Sequence, residues 1–184
     1  MSDYVENVAD NMGSASFLGR SGTTFLRDAW LAGKFGTILK YDVVRLIDER
    51  LQWPDFDARK GGIIEWVECV EALLSDRRRA DEYREMERRK NLDEPIGEAD
   101  PVENWIARAE LLPCALHKAV SSKRKKQYSD SSPSLMIYLN IDEYGIRRDV
   151  ILQKMPASVA SAKRHFSRIW VLWQDEIFEP CSLN

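Results

Sequence analysis

A mixed α/β domain, with a central sheet flanked by helices, is the fold class this sequence predicts, and three observations predict it. Residues 135–141 form a nearly unbroken apolar run of strand length, as a strand covered on both faces requires. A second such run occupies residues 169–173, after a segment with helical character. Upstream, residues 63–70 interleave acids with apolar side chains directly after Lys60-Gly61-Gly62, which reads as a hairpin turn.

The 184 residues, 44% hydrophobic and 31% charged, suit one domain with a continuous core. Residues 1–22, polar and rich in Gly and Ser, read as a flexible arm, and residues 23–184 as the domain. Gly19, Gly22, Thr23 and Thr24 lack the lysine and the preceding strand of a phosphate loop, so Thr23 or Thr24 is expected to cap a helix. Leu26, Ala29, Trp30 and Gly33 would form the apolar stripe of that helix, with Gly36 weakening its continuation. The β-branched residues 43–47 favour a strand. Pro54 cannot donate a ladder hydrogen bond, so the next strand lies at an edge or is interrupted there.

In an unbulged strand after the turn, Ile63, Glu65, Val67 and Cys69 face one way and Ile64, Trp66, Glu68 and Val70 the other. Glu65 then sits among apolar neighbours, where a carboxylate is costly unless it is paired or bound to a cation. Residues 75–90 read as a charge-dense helix supported by pairs such as Asp81 with Arg84. The proline-containing, acidic residues 91–101 form a loop, and Asp100, Pro101 and Glu103 resemble a helix start. Pro113 is expected to open another helix running to about Gln127. Beyond the strand at 135–141, residues 150–152 suit a short strand or a helix start, Pro156 opens a helix to about His165, and Gln174-Asp175-Glu176 turns the last strand back.

The net charge of −3 and a pI near 5.5 exclude a surface that grips nucleic acid as a whole, so any such role rests on a local patch. Two candidates stand out. Arg77, Arg78 and Arg79 either form part of a solvated helix face or contact phosphates. Lys118, Lys123, Arg124, Lys125 and Lys126 either suit a helix dipole or form a phosphate patch with Tyr128. Three scattered cysteines without a CxxC pair favour reduced thiols in a cytoplasmic setting. No apolar stretch reaches the length of a bilayer span. Cys114 and His117 lie one helical turn apart but lack a second ligand pair for zinc.

The carboxylates carry more. Asp55 and Glu65, on adjacent hairpin strands, are expected to chelate a hard divalent ion such as Mg²⁺, with water and substrate phosphate completing its shell. Phosphodiester hydrolysis is the natural reaction class for such an ion.

Pro54-Asp55, then Glu65 on an apolar strand, then a long helix and the LMIYLNI and IWVLW strands together resemble the PD-(D/E)XK nuclease superfamily. The Arg77-Arg78-Arg79-Ala80-Asp81-Glu82-Tyr83 run narrows the likeness to uncharacterised bacterial proteins of that type. The resemblance implies a restriction-endonuclease-like fold and a metal-dependent endonuclease with Asp55 and Glu65 as metal ligands and Glu68 as an auxiliary acid. Where the superfamily carries its lysine, two residues after the acid, this chain has Val67. Three resolutions stand open: a base such as Lys60 or Lys118 from another direction, Glu68 reached through a bulge, or a fold without catalysis. The rival function is an inactive nuclease-fold module that binds nucleic acid or protein, with a homodimer compatible with either. An enzyme acting on small acidic metabolites is less attractive because no Gly-rich cofactor loop is present.

Overall fold

The computed structural model describes residues 24–48, 51, 53–73, 88–93, 105–126, 128, 132–140 and 147–180. The N-terminal arm, the Arg77–Arg79 run, the Asp100 helix start and Cys181 lie outside them. Helix α1 (Thr24–Leu39) leads into the strands β1 (Val43–Leu46), β2 (Phe56–Lys60) and β3 (Ile63–Ala72). Helix α2 (Trp105–Arg124) precedes β4 (Ser134–Leu139), and helix α3 (Arg148–Val159) continues as a 3₁₀ segment (Ala160–Arg164) before β5 (Ile169–Trp173) and β6 (Glu176–Phe178). The six strands form one mixed sheet in sequence order. β1, β2 and β3 are antiparallel, β3, β4 and β5 are parallel, and β6 returns antiparallel to β5.

Pleat alternation divides the core into two layers. Leu135, Ile137 and Leu139 of β4 and Ile169, Val171 and Trp173 of β5 pack with Leu112, Leu116 and Val120 of α2 and Ile151 and Met155 of α3. Met136 of β4, Trp170 and Leu172 of β5 and Val67 and Cys69 of β3 instead join Leu31 and Phe35 of α1. The sheet is therefore covered on both faces, as the two apolar runs require.

Four expectations need correction or sharpening. Pro113 does not open a helix. It lies inside α2, and Ala109, Leu112, Leu116, Ala119 and Val120 keep one buried stripe across it. An interior proline costs about 3 kcal/mol, and burying Leu112, Leu116 and Val120 at about 1.5–3 kcal/mol each outweighs that. Pro156 is likewise interior to α3, which begins before it and absorbs residues 150–152. The strand after Pro54 starts only at Phe56, so the proline stands just outside the ladder, and β2 is an inner strand. The turn falls where expected, with Gly61 at φ 53° and Gly62 at φ 83°, the left-handed pair that a two-residue hairpin loop needs.

Gly36 does not end α1. The helix passes through it to Leu39 because β1 crosses there at close range, and an added Cβ would meet Val44 Cγ2 at 2.5 Å. Replacing Gly36 with alanine should therefore lower stability by about 1 kcal/mol, because the overpacking cost exceeds the helix-propensity gain. In a Val44→Ala background the same replacement should become neutral or stabilising by up to about 1 kcal/mol. Urea denaturation of the four proteins checks this, and an unopposed gain in the single variant would contradict it.

Candidate active site

The hairpin register decides which acids meet. Lys60 pairs with Ile63 across the turn, Ala58 with Glu65 and Phe56 with Val67. The Asp55 N–H then donates to the Val67 carbonyl at 3.0 Å, carrying the pairing one step further and setting Asp55 beside Glu68. Asp55 Oδ2 accepts the Cys69 backbone N–H at 2.6 Å, which anchors its carboxylate against β3. The expected Asp55–Glu65 pair does not form. Glu65 lies three residues from Glu68, so the pleat sends the two side chains to opposite faces.

Glu65 faces the α1 layer, and its neighbours are hydrogen-bond donors. Oε1 accepts from Ser134 Oγ at 2.6 Å and from Trp170 Nε1 at 2.8 Å, and Oε2 accepts from the Tyr41 hydroxyl. Arg168 lies 3.7 Å from Oε2, its guanidinium stacked over the Trp170 ring at 4.1 Å. Burial, together with the hydrogen bond to Glu65 and its charge, pushes the Tyr41 hydroxyl well above its ordinary pKa. The cost of placing a carboxylate among apolar residues is met here by fixed protein dipoles.

Glu68 faces the α2 layer and is fully buried. Lys123, near the end of α2, and Lys126, just beyond it, each place Nζ 2.5 Å from Glu68 Oε1. Lys123 Nζ also lies 3.7 Å from Asp55 Oδ2, so one ammonium bridges both carboxylates. Burial works against the charge on Lys123, but Asp55 and Glu68 outweigh it and hold the pKa above the usual lysine value. Glu68 Oε2 is buried and has no hydrogen-bond partner among the described residues. A buried carboxylate oxygen without a donor carries an uncompensated desolvation cost.

The lysines lie at different distances from these acids. Lys60 donates to the Leu39 carbonyl and sits over the Tyr41 ring, away from these acids, and Lys118 is exposed on α2. Lys123 arrives instead from the helix between β3 and β4, and Glu68 reaches the site without a bulge. Of the remaining basic residues, Arg124, Lys125 and Lys126 are exposed around the end of α2. Asp28 on α1 is a further acid whose pKa is raised by burial, lowered by its Arg27 neighbour and raised again by the charge of Asp55. Tyr128, whose hydroxyl donates to the Lys123 carbonyl at 3.1 Å, is raised by burial and then by Glu68 and Asp55.

Among the described residues no group of three or more His, Cys, Asp or Glu could hold a metal ion, so Asp55 and Glu68 alone would leave most of a hard ion's shell to water and substrate oxygen. Cys114 and His117 are both exposed, and Cys69 is buried, its thiol pushed well above its ordinary pKa first by that burial and then by Asp55. No helix among the described residues is long and apolar enough to cross a membrane. The chain matches no family model, no curated protein and no solved structure.

Because Glu65 accepts from several buried donors, Glu65→Ala should cost about 2–4 kcal/mol by stranding the Trp170 indole and its neighbours. Any Mn²⁺ affinity of the chain should be unchanged in that variant. Denaturant melts with parallel Mn²⁺ titrations check the pair of outcomes, and a loss of Mn²⁺ affinity without a loss of stability would reverse the assignment.

Proposed function

We propose that this chain is a metal-dependent nuclease of the restriction-endonuclease-like type, with Asp55 and Glu68 as metal ligands and Lys123 in the role of the motif lysine. The observation that carries the reading is the buried Glu68 Oε2, without a partner among the described residues, with the Lys123 ammonium between Glu68 and Asp55. Support also comes from the element order. A helix, an antiparallel three-strand meander, a second helix and a parallel fourth strand place the acids where the sheet changes from antiparallel to parallel.

The donor set suits Mg²⁺, since both side-chain ligands are hard carboxylate oxygens. When bound, such an ion supplies charge stabilisation at a phosphoryl group and lowers the pKa of a coordinated water. The chain's own contribution is positioning. The Cys69 N–H holds Asp55 in place, burial fixes Glu68, and Lys123 presents a protonated donor to the attacking water or a phosphate oxygen. Lys126, Arg124 and Lys125 would receive the flanking phosphates.

A second reading is favoured by one observation, the convergence of two lysines on Glu68 Oε1. In that reading the cluster is an ion triad in a non-catalytic module that binds nucleic acid or protein. Breaking a buried pair of this kind costs stability whether or not it turns over substrate.

Cleavage of plasmid, single-stranded DNA and RNA with Mg²⁺ or Mn²⁺ separates the two. Asp55→Asn and Glu68→Gln should abolish both cleavage and Mn²⁺ binding, whereas Lys123→Met should lower the cleavage rate by about 100-fold and leave Mn²⁺ bound. A wild-type chain that neither cleaves any of these substrates nor binds Mn²⁺ by calorimetry would sink the enzyme reading and leave the ion triad.

A further inference from the structure

Next to the two acids a line of aromatic rings runs from the core, at Phe166, out to the surface at Trp66. Trp66 stands two residues before Glu68 on β3, on the same face of the strand and about 7 Å along it. Trp53 stands two residues before Asp55. The two indoles pack together with ring centroids 5.4 Å apart. Trp53 meets Tyr128 edge-on at 5.8 Å, and Tyr128 meets Phe166 at 5.6 Å. Phe166 is buried and roots the line, Tyr128 and Trp53 are half-buried, and Trp66 at the outer end is 43% exposed.

Ile63, Ile64 and Trp66 are all exposed, and a contiguous apolar patch marks an interaction site where a single exposed side chain does not. Trp66 also forms one wall of a groove of about 460 Å³, bounded by Ile63, Ile64, Ser134 and Arg168, which leaves room beside the ring. The groove exists because β4 begins opposite Val67, so residues 63–66 of β3 have no partner on that side among the described residues. Tyr128 ties the rings to the end of α2, where Arg124, Lys125 and Lys126 are exposed.

On the reading that Asp55 and Glu68 form a nuclease site, we infer that the substrate is an unpaired nucleic acid strand, whose bases stack on Trp66 and Trp53 while the cations at the end of α2 hold its phosphates. Rings at the edge of a site reach bases only where those bases are not already stacked in a duplex, and stacking is indifferent to sequence because every base offers a π face. The basic residues supply the matching charge in a chain that is acidic as a whole. A stacked base one strand period from Glu68 sets its neighbouring phosphate toward the paired acids.

The test is binding without any divalent ion, so that cleavage does not enter the measurement. Anisotropy of labelled oligo(dT) and oligo(U), against a duplex of the same length, is read for the wild-type chain, Trp66→Ala, Trp66→Phe and Arg124→Ala/Lys125→Ala. The expected result is tighter binding of at least one single strand than of duplex, with tryptophan fluorescence quenched. Trp66→Ala should weaken that binding about tenfold, Trp66→Phe should restore most of it, and the double variant should reduce the salt dependence. Trp66 is exposed enough for its replacement to leave the fold intact, which circular dichroism verifies. Equal affinity for duplex and single strands, or an affinity unaffected by Trp66→Ala, would overturn the inference. Single-strand binding that depends on Trp66, in a chain that fails the cleavage assay, would uphold the stacking surface and discard only the nuclease reading.

Discussion

The two-residue turn at Gly61 and Gly62 is the constraint on which the site depends. Both glycines adopt left-handed φ values, and the loop they form matches the twist of β2 and β3. With Lys60 set against Ile63, every later pairing follows, and Asp55 arrives beside Glu68. A slip of one residue would exchange the faces of the whole strand, moving Glu68 out of reach of α2 and Val67 and Cys69 out of the α1 core layer. The apolar residues of β3 and the chemistry of its acids thus select the same register.

Two acids on one strand meet burial in different ways. Glu65 is surrounded by donors that belong to the fold, a hydroxyl, an indole and a serine, and none of its oxygens is short of a partner. Glu68 is more deeply buried, and its compensation comes from two lysine ammonium groups that crowd one oxygen and leave the other without a partner among the described residues. The first arrangement is complete within the chain. The second is not, and that asymmetry distinguishes the two acids.

Much of the fold was legible in the sequence because apolar periodicity reports burial directly. The strands at 63–72, 134–139 and 169–173 and the glycine turn follow from it. The helix boundaries at Pro113 and Pro156 were not legible. A proline marks a helix start by local preference, and only the packing of Leu112, Leu116, Ile151 and Met155 reveals that the helices continue through it. The placing of Asp55 against Glu68 and not Glu65 was within reach, since counting back from the turn sets position 55 against 68. Lys123 was visible only as one of a basic cluster. Its approach to Asp55 and Glu68 depends on α2 lying across β3, which no local pattern encodes.

The outer half of β3 extends past the first residue of β4 and presents Ile63, Ile64 and Trp66 with one side of the backbone ladder open among the described residues. An open, apolar edge of this kind is a template for recruiting further copies of the chain into a sheet. The charged side chains Arg59 and Lys60 on the adjoining strand and the left-handed glycines at its tip oppose that, since they repel and twist an incoming strand. The residues that shield this edge belong to the same hairpin whose register brings Asp55 beside Glu68.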